Sequence, residues 1–250
     1  MKKKLILGLA AIATILVTLP MFAAFEAHVI NVTAQIENAL LVHPEGLEYG
    51  TVFPQEHLLT SFFISFSNSF SATDQRRVGT VEYRIKQKPK PLPAFEVSAG
   101  GVDIARAWCH DNYPATPYSA TDPLWTTYLG NCYPSLCPYL SKTPDGLPSS
   151  GQNANNDVGL PPFHNPWTQF ALGKLVKFNA NGTTIDNDPS DTWTIDLAVP
   201  CFAGQCAQDW PSFVQSLNPN AGDAEQYKLP QDFEHEVFGC DLWVEVTDIY

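Results

Sequence analysis

Basic side chains are scarce in this 250-residue chain: 14 Lys and Arg stand against 26 Asp and Glu, a formal net charge of −12. A field of that sign repels phosphate backbones, so no nucleic-acid partner is expected; it favours cations or basic surfaces and keeps the chain soluble. Long apolar runs are missing after residue 27, which confines any membrane contact to the N-terminal segment. Catalytic signatures are missing too. The histidines at 28, 43, 57, 110, 164 and 235 are scattered, and no H-E-x-x-H, G-x-S-x-G or paired-carboxylate pattern occurs. The expectation is a protein that is not an enzyme and holds no cofactor. Wholesale disorder is excluded by a 44% hydrophobic and 12% aromatic content.

What stands at the start is informative. Lys2, Lys3 and Lys4 precede the uncharged run Leu5 to Leu19, then Pro20 and small residues around Ala23, Ala24 and Ala27. A basic region, an apolar segment and small residues make an export signal, so residues 1–27 read as a signal peptide and the remainder as extracellular or cell-surface. Cleavage after Ala27 removes Lys2, Lys3, Lys4 and Glu26, leaving 11 basic against 25 acidic residues and a charge of −14. Left uncleaved, residues 5–25 form an apolar stretch of roughly 20 residues, long enough for a membrane anchor. Residues 28–250 are expected to be one domain.

Six cysteines, Cys109, Cys132, Cys137, Cys201, Cys206 and Cys240, form an even set in a chain bound for an oxidising space, which points to disulfides. The preferred pairing joins Cys132 to Cys137 and Cys201 to Cys206 across short loops, leaving Cys109 for Cys240. Other pairings stay open. A structural zinc site from the two C-x4-C pairs is the alternative, against which their wide spacing and the compartment both count.

Periodicity of two dominates the remaining chain. Strands are expected over 28–37, at Leu47 and Tyr49, over Phe62–Phe66 and Val81–Ile85, within Trp167–Phe178, over Trp193–Val199, and from Cys240 to Val246. Lys86 to Pro93 reads as an extended, proline-rich connector. Residues 98–166 read as a long cysteine-containing, loop-rich insertion organised by disulfides and aromatics. Trp210, Phe213, Val214 and Leu217 recur at helical spacing behind Asp209, which predicts one short helix. The expected fold is therefore all-β: a two-layer antiparallel β-sandwich, jelly-roll-like, carrying the insertion and the helix.

The lysine-rich signal, the strand directly after it, and the segments Leu47-Glu48-Tyr49-Gly50-Thr51-Val52-Phe53-Pro54-Gln55-Glu56 and Phe62-Phe63-Ile64-Ser65-Phe66-Ser67-Asn68 resemble the TasA/camelysin group of exported matrix proteins. The likeness covers about residues 1–85. It implies a jelly-roll subunit of a cell-surface or biofilm-matrix filament, joined to its neighbour when an N-terminal strand completes the next subunit's sheet. Residues 28–36 would be that donor, with Ile30, Val32, Ala34 and Ile36 as the inserted face. The alternative is that this strand pairs within its own sandwich.

Two ligand readings accompany this one. Asp186, Asp188 and Asp191 offer hard oxygen ligands suited to calcium, although the twelve-residue calcium-loop pattern is missing. Trp125, Tyr128, Tyr133 and Tyr139 lie in the insertion and could stack on sugar rings, giving a carbohydrate-binding or adhesive module as the alternative function. Aromatic packing beside disulfides is the plainer reading of those four.

Overall fold

Strands form where apolar residues alternate, and the alternation sorts them into two layers. The computed structural model describes residues 38–71, 78–114, 122–145, 157–177 and 188–250. Strand β2 (His57–Phe66) buries Phe62, Ile64 and Phe66 and exposes Leu59, Ser61 and Phe63. Strand β3 (Thr80–Lys88) buries Val81, Tyr83, Ile85 and Gln87, while Glu82, Arg84, Lys86 and Lys88 lie on its other face. Strand β6 (Ser190–Ala198) buries Asp191, Trp193, Ile195 and Leu197. With β1 (Leu40–His43), β4 (Thr143–Pro144), β5 (Ala171–Val176) and β7 (Asp241–Ile249), these strands make two antiparallel sheets, ordered β1-β2-β6-β4 and β5-β3-β7. Their inward residues share one apolar core, the packing of a β-sandwich. Each fully buried Ile, Leu or Val in it contributes roughly 1.5–3 kcal/mol.

At the centre of that core the polar tips of two large rings are paired. Trp193 Nε1 donates to Tyr83 Oη at 2.8 Å, and Tyr83 Oη donates to the Asp191 carboxylate. Gly173 on β5 faces Tyr83 across the sheet, and a Cβ there would stand 2.2 Å from Tyr83 Cζ. Only a residue without a side chain lets the phenol lie flat over β5.

Helices are more numerous than the sequence suggested. Besides a single turn α1 (Asn68–Ser71), a helix α2 (Pro93–Ala99) follows the expected connector, and the segment expected to be loop-rich holds α3 (Val102–Asp111) and α4 (Pro123–Leu129). Pro93 and Pro123 stand in the first turns, where proline is tolerated, and Gly100 caps α2 at φ 87°. These helices enclose a small second core of Cys109, Trp125, Tyr128 and Cys132, flanked by Phe95, Trp108, Tyr113 and Leu129. The helix expected behind Asp209 is present as α5 (Trp210–Leu217), burying Trp210 and Val214; the Asp209 side chain makes no capping bond. Leu47 and Tyr49 are a correction: they lie in a loop rather than a strand, bounded by Pro44, Gly46 and Gly50, and the strand is Leu40–His43. Lys86–Lys88 belong to β3, which shortens the expected connector.

Three disulfides are present: Cys109–Cys132, Cys137–Cys240 and Cys201–Cys206. The last matches the expected pairing; Cys132–Cys137 and Cys109–Cys240 are not formed. The segment between Cys132 and Cys137 does not turn back on itself. It runs beside the start of β7, with Leu136 N donating to Gly239 O at 3.0 Å and Gly239 N to Pro134 O at 2.9 Å. Cys137 is thereby delivered to Cys240, and Cys132 turns to α3. In the chain-entropy account a closure of the length of Cys137–Cys240, with a sequence separation of 103, contributes about 4–5 kcal/mol. Three such bonds suit an oxidising environment. Among the described residues no helix is long and apolar enough to cross a membrane.

Gly173→Ala is expected to lower stability by about 2–3 kcal/mol, read as a drop in the denaturant midpoint. A variant with unchanged stability would show that Tyr83 is free to move away.

Candidate functional site

A cleft of about 650 Å³ opens between the margins of the two sheets. One wall is Val42 on β1 with the loop Pro44–Tyr49 behind it; the other is Phe238, Gly239, Cys240 and the first residues of β7, Asp241 to Val244. Phe62, Leu136, Leu140 and Ile195 complete its apolar lining. The loop is held down by Tyr49, whose hydroxyl donates to Ile195 O at 3.2 Å. Burial, with the Asp196 carboxylate adding, raises the Tyr49 pKa, so the phenol stays protonated and remains a donor.

Charge is confined to the rim. Glu45 and Glu48 stand on the β1 side, and Lys90, Arg106 and Asp241 on the β7 side. Arg106 of α3 donates to Asp241 through Nε at 2.9 Å and Nη2 at 2.7 Å, which ties the helical segment to the root of β7. Trp243 carries Lys88 Nζ 3.4 Å above its ring and Arg106 at 5.4 Å. Burial holds the Lys88 pKa below its usual value, and neighbouring Arg106 and Lys86 push the same way. Glu245, further along β7, accepts from Arg84 and Lys86 at 2.7 Å each, and those cations hold it down at about 2.

Both walls of the cleft are sheet edges. Among the described residues β1 pairs only with β2, and β7 only with β3. On β7 the core-facing row is incompletely covered. Leu242 and Val244 pack against the core, whereas Val246 and Ile249 are 37% and 46% exposed although they oppose the buried Tyr83 and Val81. An apolar-lined cleft, two unpaired edges and a charged rim suit an extended chain that alternates apolar and polar side chains.

The residues singled out from sequence distribute as follows. Ile30, Val32, Ala34 and Ile36 lie outside the described residues, as does Asp186. Asp188 and Asp191 are buried, and among the described residues no group of three His, Cys, Asp or Glu is placed to hold a metal. The glycan-contact reading is corrected for three of its four residues. Trp125, Tyr128 and Tyr139 are 6%, 0% and 5% exposed and present no ring face to a sugar, because two of them form the helical mini-core and Tyr139 joins the main core. Tyr133 is half-buried with Lys90 over its ring. The cleft residues were missed because Val42, Arg106 and Trp243 come from distant segments, and only the alternation of β7 hinted at an edge.

Asp191, Lys142 and His164 sit inside the molecule, outside the lining of the cleft. Burial pushes Asp191 up to about 8, against the opposing Tyr83 hydrogen bond, with Asp157, Asp188 and Asp145 adding to the rise. Lys142 is fully buried, donates from Nζ to Leu140 O at 2.9 Å, and is pushed down to about 7 by the same loss of solvent. His164, buried against Gln87, is lowered to about 3 by burial and then by Lys142.

Comparison of the chain with protein-family models, curated proteins and solved structures returned no match.

Opposite pH signatures follow. The Asp191 pKa is raised above the unfolded value of about 3.9, so the folded state binds the extra proton and stability falls as pH climbs from there to about 8. Asp191→Asn should flatten that decline in urea melts between pH 4.5 and 8.5 and exceed wild type at the upper end; an unchanged slope refutes it. The Lys142 pKa is lowered from about 10.4, so its penalty is complete below about pH 7 and fades above. Lys142→Met should stabilise by on the order of 2 kcal/mol at pH 6 and by much less at pH 10. Equal gains at both pH values would show that Lys142 does not titrate in the core.

Proposed function

We propose that the protein is an exported, non-catalytic structural subunit that self-associates at the cell surface or in an extracellular matrix by β-strand addition, residues 28–36 of one copy lying in the cleft of the next. The observation that carries this reading is the open cleft between β1 and the start of β7; further along β7, Val246 and Ile249 continue its core face but stay exposed, with no strand beyond β7 among the described residues. The nine residues from His28 to Ile36 equal β7 in length and alternate apolar Ile30, Val32, Ala34 and Ile36 with polar Asn31, Thr33 and Gln35. One face of such a strand enters the core while its backbone satisfies an edge, which supplies both affinity and register.

Seven strands are present among the described residues, and a donated strand makes eight, the number of a jelly roll. That count is in keeping with the resemblance to the TasA/camelysin group. The disulfides support placing the assembled form outside the cytoplasm. The acidic charge supports solubility of the free subunit.

Electron microscopy of the oxidised chain starting at residue 28 should reveal concentration-dependent filaments. They should vanish on deleting residues 28–36, with the circular dichroism of the remainder preserved. Val246→Lys places a charge at an already exposed position on the acceptor edge and should block filaments while shifting the melting temperature by only about 1–2 °C. Monomers from the intact chain at every concentration would overturn the proposal, as would filaments from the deletion variant.

A further inference from the structure

Of the three disulfides, one reaches the cleft. Cys109–Cys132 lies within the helical mini-core, and Cys201–Cys206 closes a loop of five residues in sequence separation. Cys137–Cys240 is different in kind: Cys240 lines the cleft and directly precedes β7, the acceptor edge. Its partner Cys137 follows Leu136, which lines the same cleft. Two strands of backbone that are far apart in the chain thus form one wall, and a single covalent bond clamps them.

The rest of that wall is lightly fastened. Leu136 N to Gly239 O and Gly239 N to Pro134 O are its backbone ties. Gly239 fits because it lacks a side chain; a Cβ would meet Lys90 Cδ at 2.9 Å and Tyr133 Cβ at 3.2 Å. Beyond Val244 the acceptor strand has few core contacts to fix its position, as the exposure of Val246 and Ile249 indicates. The β3 ladder holds β7 along its length from Asp241 to Ile249, so what the Cys137–Cys240 bond fixes is the stretch of wall ahead of that ladder, Leu136 against Phe238–Cys240.

We infer that oxidation of Cys137 and Cys240 is the switch that makes the cleft competent to accept a strand. This gate presupposes the strand-addition reading and adds its regulation. The reduced chain keeps both sheets but has a loose wall, so an incoming strand must order the edge as it binds and pays for that in affinity. Oxidation proceeds by exchange with an external disulfide, either a small molecule such as oxidised glutathione or a disulfide-exchange protein. The Cys137 thiolate attacks one sulfur and expels a thiol; the Cys240 thiolate then attacks the mixed disulfide and expels the second. Two protein thiols are oxidised and one external disulfide is reduced to two thiols. Subunits still in a reducing compartment stay unassembled, and export licenses them.

The test measures binding of a fluorescent peptide of sequence 28–36 to the full chain and two double variants, Cys137→Ser/Cys240→Ser and Cys109→Ser/Cys132→Ser. Loss of the cleft disulfide should weaken uptake at least about tenfold, and loss of the helical one by no more than about twofold. Equal affinity for all three proteins overturns the gate and leaves strand addition standing. Absence of binding even to the oxidised wild type overturns strand addition and, with it, the gate. Should the first variant fail to fold, Gly239→Ala, which keeps all six cysteines, disturbs the same wall and should weaken uptake comparably; undiminished uptake overturns the gate. Hydrogen exchange on the wild type before and after mild reduction gives a second readout. Faster exchange is expected at Leu136 and Gly239 with β6 unchanged, and an unaltered pattern at those two amides overturns the gate.

Discussion

Everything in this molecule hangs on the packing of β2 and β6 against β3, and that packing turns on one contact: the Tyr83 ring lying over Gly173 with its hydroxyl between Trp193 and Asp191. The contact joins the two sheets through their centres, with large aromatic area buried and the polar tips of both rings satisfied. A tyrosine that reaches across the core needs a neighbour without a side chain, which Gly173 supplies, and an acceptor at its end, which Asp191 supplies. Once the central strands are set by it, the margins of the sheets follow, including the gap between β1 and β7.

The same low-polarity interior governs the ionisable groups it encloses. Asp191 holds a proton and Lys142 tends to lose one chiefly because burial strips both of solvent, with neighbouring carboxylates adding to the rise at Asp191. Around the cleft the situation is reversed. Arg106 with Asp241, and Glu245 with Arg84 and Lys86, are partly solvated ion pairs that hold β7 in place from its outer face but add little net stability individually. Covalent closure at Cys240 and this outer lattice of charges therefore share the task of positioning an edge strand whose inner face is only half covered.

Much of the sheet architecture was legible because strands buried on one face must alternate. Phe62, Ile64 and Phe66, Val81, Tyr83 and Ile85, Trp193, Ile195 and Leu197, and Leu242 and Val244 stand where period two placed them. Helix α5 was legible for the matching reason, an apolar stripe at 3.6 spacing. Helices α2 to α4 were not, although Pro93, Gly100, Asp122 and Pro123 are start and stop signals. Their apolar stripes are short, and Val97, Ile104 and Leu124 point to solvent, which blurs the periodicity. The aromatic residues of that segment illustrate the ambiguity of side-chain type alone. Trp125 and Tyr128 could equally stack on a ligand or on each other, and only burial decides.

Composition and pattern by themselves determined the acidic net charge, the pairing of the cysteines into disulfides as such and the two-faced character of the strands. Each is a property of a residue and its near neighbours. Tertiary structure alone decided which cysteines meet, which aromatics are covered, and where the sandwich is left open. Those depend on how segments far apart in the chain approach one another: the run from Tyr133 to Leu136 lies straight along Gly239 instead of turning, so Cys137 meets Cys240, and β7 becomes an edge because β3 offers it only one side.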